Sequence, residues 1–335
     1  MIISRTPYRI SFFGGGTDYP SWYQQHGGAV LASTINKYCY LTCRYLPPFF
    51  DHKFRIVYSK MENCASIDEI KHPAIREVLR YLDVNRGVEI HHDGDLPARS
   101  GMGSSSAFTV GLVHALSALK GKILDRHELA RLSIHLEQEV LKEVVGSQDQ
   151  VLAAHGGLVH VSFHCGGEFT VRPITISRSR VEELNSHLML IYTGMVRTAS
   201  DIAQTYGVDT ESRSPQLETM QRYVDEAVSI LGSSSCIKLF GGLLHEAWQV
   251  KRSLSPKVSS SEIDALYNEA RAAGAIGGKI TGAGGGGFML LFVEPKFQDN
   301  VRQRLRKLLR VPFKFESSGS NIIFYDTEED FESLG

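Results

Sequence analysis

The segment Leu96-Pro-Ala-Arg-Ser-Gly-Met-Gly-Ser-Ser-Ser-Ala carries residue types suited to chemistry on an anion. It lies between a strand-like run and a helical one, so Gly101 and Gly103 can turn the backbone tightly with N–H groups facing inward while Ser104, Ser105 and Ser106 open the helix. A helix N-terminus offers unpaired N–H groups and the positive end of the macrodipole, which makes this loop a phosphate cradle. Serine hydroxyls on that turn can also ligate Mg²⁺ held between two phosphates. A second loop, Pro7-Tyr-Arg-Ile-Ser-Phe-Phe-Gly-Gly-Gly-Thr-Asp-Tyr, puts Arg9 on a strand and Asp18 just past three glycines. A carboxylate beside bare backbone can grip a small polyhydroxylated ligand.

A third loop, Gly282-Ala-Gly-Gly-Gly-Gly, fits Gly-x-Gly-x-x-Gly formally. A dinucleotide-binding turn opens a helix, whereas Phe288-Met-Leu-Leu-Phe-Val reads as a strand, so that assignment fails. The nucleotide P-loop is excluded as well: Gly274 stands one residue too close to Gly278-Lys279, and Ile280 replaces the hydroxyl residue. So many glycines in one loop cost backbone entropy unless something packs on them.

Taken in their order along the chain, the three loops resemble the motifs of the GHMP superfamily of small-molecule kinases, and the resemblance covers nearly the whole chain. Pro7 to Tyr19 looks like its first motif, Leu96 to Ala107 its Pro-x3-Gly-Leu-Gly-Ser-Ser ATP motif, and Lys279 to Phe288 its third. The resemblance implies a two-domain α+β fold, with a ribosomal-S5-like N-terminal domain and a ferredoxin-like C-terminal domain, and implies ATP and Mg²⁺ as cofactors. It places ATP on Pro97, Ser100, Gly101, Met102, Gly103, Ser104, Ser105 and Ser106, and Mg²⁺ on Ser105 and Glu137. Asp149 becomes the base that takes the acceptor's hydroxyl proton, with Arg9 as the cation that keeps it charged. The acceptor is expected on Gly14, Gly15, Gly16, Thr17 and Asp18, and on Gly282, Gly284 and Gly285. Arg197 and Lys279 are either grips for a sugar phosphate or solvent-facing charges.

Galactokinase-branch members carry Gly-Glu-His-Thr-Asp-Tyr in the first motif; here Gly15 and Gly16 stand for the Glu and His. That version resembles the heptose-phosphate branch instead. It implies phosphorylation of the anomeric hydroxyl of D-glycero-D-manno-heptose 7-phosphate to the 1,7-bisphosphate, for nucleotide-activated heptose and surface glycan synthesis. The alternatives are a galactokinase-branch or fucose-type kinase for an unphosphorylated sugar, and a non-catalytic sugar-phosphate binding module.

The elements that must position these loops are legible in outline. Strands are expected at Arg9–Phe13, Tyr38–Cys43, Arg55–Tyr58, Gly87–His91, Leu158–Phe163, Leu188–Tyr192, Phe288–Val293 and Asn321–Tyr325. Helices are expected at Ser104–Leu119, after the Asp125/Glu128 capping box, within Gly146–Gly157 as a short helix closed by its glycines, at 216–231, 237–254 and 262–273, and through Val301–Leu309. The run Ile174–Leu184 reads as polar and turn-like, and the domain boundary is drawn there, giving residues 1–178 and 179–335. His91 and His92 are adjacent on a strand and point to opposite faces, so they cannot clamp one metal ion.

Composition bounds the rest. At 335 residues, roughly two domains are expected at about 150 residues each. Lys+Arg 36 against Asp+Glu 37 leaves no basic excess for nucleic acid. No apolar run is long enough for a membrane span, and the first residues lack a signal peptide's apolar stretch. Five cysteines, an odd number, fit a reducing cytoplasm and argue against a disulfide framework. A monomer or homodimer is expected.

Overall fold

The computed structural model describes residues 1–195 and 211–326. Its first sheet forms around β1 (Ile2–Phe13) and the long β2 (Gly28–Tyr45), which pair antiparallel along most of their length. β2 changes neighbour midway: residues 39–45 pair with β5 (Val88–Gly94), and residues 28–33 pair with β6 (Leu158–Phe163). β3 (Phe54–Val57) and β4 (Met61–Cys64) extend the β5 side, and β7 (Phe169–Pro173) extends β6. Two helices, α1 (Pro20–His26) and α2 (Pro73–Tyr81), carry Pro at their first position, where its missing N–H costs nothing.

α3 (Ser104–Leu119) is apolar on almost every side, a composition only burial accommodates, and it packs on β1 and β2. α4 (Arg126–His135) starts at the Asp125/Glu128 capping box and widens into a π-turn over Leu136–Val140. α5 (Gln148–His155) ends at Gly156 and also reaches β1 and β2. The first element of the second half departs from expectation. From within the run read as turn-like to just past its end stands α6 (Arg178–Ser186), capped by the Ser177 hydroxyl; it buries only Leu184, too little apolar surface to show a helical period.

β8 (Leu188–Tyr192), β9 (Ala275–Ile280), β10 (Phe288–Val293) and β11 (Leu309–Val311) form an antiparallel sheet in the order β11-β8-β10-β9. Between β8 and β9 run α7 (Ser214–Gly232), α8 (Lys238–Leu254) and α9 (Ser261–Ala272), and α10 (Gln298–Arg304) joins β10 to β11. First-to-last numbering of that sheet is 4-1-3-2, the ferredoxin-like order. The helix expected through Leu309 stops at Arg304, because the chain turns to feed the edge strand β11. β12 (Phe315–Glu316) and β13 (Asn321–Tyr325) then return to β2 and β1 of the first sheet. The halves also meet through α7 and α8, which contact β1; Phe240 packs edge-on against Phe12 and Phe13 at 5.5 and 5.1 Å. The core cluster around Phe12, Phe13 and Phe240 therefore runs through both halves.

Candidate active site

A cavity of about 520 Å³ opens where the three glycine loops converge. Its roof is the start of α3. Gly103, in the N-cap position, has a left-handed backbone and no side chain to cap the helix, so the N–H groups of the first turn have no capping side chain. The serines do not substitute for one: Ser104 Oγ accepts from the Arg99 N–H at 3.2 Å, and Ser106 Oγ donates to Glu137 Oε2 at 2.9 Å. Such an N-terminus favours an anion.

The loop is held open by backbone packing. Gly101 (φ 76°) and Gly282 (φ 64°) lie against each other: a Cβ on Gly282 would stand 2.6 Å from the Gly101 Cα, and one on Gly101 would stand 2.6 Å from the Thr281 carbonyl oxygen. Only glycine at both positions lets the third loop back the first.

Below the cradle, Arg9 and Asp149 form a two-pronged ion pair, Nε to Oδ1 at 2.6 Å and Nη2 to Oδ2 at 2.7 Å. Arg9 Nη1 also donates to the Gly101 carbonyl at 2.7 Å, which ties the pair to the loop ahead of α3. Arg9 is 4 % exposed, whereas the Asp149 side chain keeps 23 % of its surface and faces the cavity. A fork of this kind fixes the carboxylate's orientation as well as its charge.

Asp18 is buried, and its oxygens accept from the Gly16 N–H at 2.8 Å and the Gln148 N–H at 3.3 Å, so it caps α5 as well as lining the cavity. Burial, and secondarily the charge of Asp149, raise its carboxyl above the usual range, and the two backbone donors pull the other way. Glu137 is buried on the π-turn. Gln150 Nε2 and Ser106 both donate to its Oε2, while Oε1 has no partner. Burial and the nearby Glu143 push its carboxyl up to about 8.

Two lysines approach from the second half. Lys279 Nζ donates to the Phe12 carbonyl at 2.9 Å, and Lys251 Nζ donates to the carbonyls of Ile280, at 3.3 Å, and Gly282. Burial, with Arg9 adding repulsion, brings Lys251 down to about 7, and burial beside Lys251 and Arg9 lowers Lys279 well below the ordinary range. Lys251 escaped the sequence reading although its spacing held a signal: Phe240, Leu244, Trp248 and Lys251 share the buried stripe of α8, where a lysine is out of place.

The unfolded chain holds the Lys251 proton up to about 10.5, whereas the folded chain releases it near 7. Stability therefore rises with pH across that window and is lowest below it. Urea titrations at pH 7 and 9 are expected to show Lys251→Met losing this rise, on the order of 1 kcal/mol per pH unit relative to the unsubstituted protein.

The structure brings Arg9, Gly15, Gly16, Asp18, Gly101, Gly103, Ser104, Ser105, Ser106, Asp149, Lys279 and Gly282 to the cavity wall. Gly14 and Thr17 instead brace the first loop, the Thr17 hydroxyl donating to the carbonyls of Gly14 and Ala29. Gly284 and Gly285 turn toward Val258. Met102 and Ser100 are buried behind the cradle, and Pro97 is exposed. Arg197 lies outside the described residues. The hydroxyl that meets Glu137 is that of Ser106, with Ser105 exposed on the cavity wall beside it.

Residues 69–157 match the model of the GHMP kinases N terminal domain, and residues 212–311 match that of the GHMP kinases C terminal. The chain belongs to the GHMP kinases, ATP-dependent phosphotransferases with an alcohol group as acceptor. Among curated proteins it is 30 % identical to the D-glycero-alpha-D-manno-heptose 7-phosphate kinase of Campylobacter jejuni, over 91 % of this chain and 93 % of that one. It is 25 % identical to the bifunctional fucokinase/GDP-fucose pyrophosphorylase of Arabidopsis thaliana, over 90 % of this chain but 31 % of that one. A crystal structure of a D-glycero-D-manno-heptose 1-phosphate kinase from Bacteroides thetaiotaomicron shares the fold. Its TM-score is 0.80 at 24 % identity, covering 97 % of this chain and 100 % of that one. No helix among the described residues is long and apolar enough to cross a membrane.

Proposed function

We propose that this kinase transfers the γ-phosphoryl group of ATP to the anomeric hydroxyl of D-glycero-D-manno-heptose 7-phosphate, giving the 1,7-bisphosphate. The observation that carries the transfer chemistry is the Arg9–Asp149 fork under an uncapped helix N-terminus. The similarity to the Campylobacter enzyme supports the choice of acceptor. The glycine version of the first motif supports it too, because Gly15 and Gly16 bring bare backbone to the wall beside Asp18.

Asp149 takes the proton of the attacking hydroxyl, whose oxygen bonds to the γ-phosphorus as the bond to the β,γ-bridging oxygen breaks and ADP leaves. Arg9 holds Asp149 in place and adds positive charge where the transferring group gathers negative charge. The N–H groups from Gly101 to Ser106 carry the phosphates, and Asp18 and Lys279 face the sugar. The residues present fit a divalent cation: Glu137 is a buried carboxylate with an unpartnered oxygen, set beside serine hydroxyls at the phosphate end of α3. Among the described residues no three His, Cys, Asp or Glu side chains form a metal cage, and Mg²⁺ bound alongside phosphates needs only one or two protein ligands. Ser105 and Glu137 would hold it, with Ser106 orienting Glu137. When bound, Mg²⁺ neutralises phosphate charge.

A panel of heptose 7-phosphate, fucose, galactose and mannose, read by ADP release, tests the proposal, with phosphorus NMR locating the new ester. Heptose 7-phosphate is expected to give the highest kcat/KM by at least about tenfold, with the ester at C1. Preference for an unphosphorylated sugar, or an ester at another carbon, would overturn it.

A further inference from the structure

Among the described residues, five cations line the cavity, and four are engaged within the protein. Arg9 is forked to Asp149, Lys142 pairs with Glu139, Lys251 donates to the carbonyls of Ile280 and Gly282, and Lys279 donates to that of Phe12. Arg99 is the fifth. Its side chain is exposed, and its one hydrogen bond is made by the backbone N–H to Ser104 Oγ at 3.2 Å. Its φ is 58°, in the left-handed region that an arginine enters only at a cost. Lys142, on the same cavity, shares that backbone region with φ 57° but spends its charge on Glu139, so what sets Arg99 apart is a guanidinium at the cavity with no hydrogen-bond partner among the described residues.

We propose that Arg99 is a ligand of the nucleotide's polyphosphate, its guanidinium taking phosphate oxygens that the α3 amides leave uncovered. The planar fork suits bidentate capture of a phosphate. Placement selects the nucleotide over a phosphate on the acceptor. Arg99 belongs to the cradle loop and is tied to Ser104, the first residue of α3, whereas Asp18 and Lys279 approach from the first loop and from β9. The bond to Ser104 sets where the arginine starts, and the left-handed turn sets the direction in which it leaves the loop.

Arg99→Asn removes the charge and keeps a residue that tolerates the left-handed region, so the fold is spared. ATP affinity is measured by calorimetry with no acceptor present, which makes the result independent of the sugar this kinase phosphorylates. Arg99→Asn is expected to weaken ATP binding about tenfold, with a melting temperature no lower than before. Arg99→Lys, which keeps the charge without the fork, is expected to recover part of the loss. The KM of the acceptor at saturating ATP is expected to be unchanged. ATP affinity within twofold of the original overturns the proposal. So does a raised acceptor KM with unchanged ATP affinity, which would give the guanidinium to the acceptor's own phosphate.

Discussion

Asp149→Asn is expected to fold, bind ATP and turn over about 10²–10⁴-fold more slowly, the range that loss of a general base commands. The substitution is nearly isosteric, yet it changes two things at once. It removes the proposed proton acceptor, and it puts an amide N–H₂ against a guanidinium that donates to both oxygens through Nε and Nη2. Arg9 is 4 % exposed and keeps its bond to the Gly101 carbonyl and one of the two to residue 149, so part of a buried charge goes unpaired. A stability loss on the order of 2 kcal/mol accompanies the kinetic one. ATP affinity should hold, because the amides of Gly101 to Ser106 are untouched. Rapid-quench single turnovers isolate the chemical step from product release. A deficit of only a few fold would reassign Asp149 to holding Arg9, in a site that works by positioning and charge alone.

How much of this was legible before the fold was known depends on what kind of signal each residue leaves. The phosphate loop and α3 announce themselves because glycines, serines and an apolar run follow one another within one stretch of chain. Arg9 and Asp149 stand 140 positions apart, and no local pattern joins them; only the order of the motifs did. Which serine meets Glu137 was beyond spacing arguments, since neighbouring helix residues point about 100° apart and the phase of α3 decides. Ser106 turns out to face Glu137 while Ser105 opens onto the cavity. β9 was hidden for a different reason. Gly277 and Gly278 weaken any strand pattern, and they are tolerated because the backbones of Gly241 and Leu290 press against them. Lys251 belongs to a third kind: a charged residue on a buried stripe, visible once helix phase is taken seriously.

The third loop shows what a motif's composition conceals. Read as a ligand grip, Gly282 would tolerate a small side chain with a modest loss of acceptor binding. Read as the structure has it, Gly282 is a spacer between two backbones, and Gly282→Ala is expected to cost about 10²-fold in kcat/KM for ATP. Two effects produce this. The left-handed φ of 64° strains any L residue, and the added methyl would stand 2.6 Å from the Gly101 Cα, where no flexible side chain is available to give way. Backbone must shift, and Gly101 is the residue whose carbonyl anchors Arg9, so the displacement passes to the Arg9–Asp149 fork as well as to the amides proposed to hold phosphate. Lys251, which donates to the Gly282 carbonyl, loses its seat in the same movement. The global fold should survive, since the loop lies at the cavity wall and the sheets close without it. Circular dichroism and a melting curve establish that survival, and paired KM measurements separate the two readings. A defect confined to the acceptor's KM would restore the ligand-grip role, whereas a defect shared by ATP binding and the chemical step follows from two loops that hold each other in place.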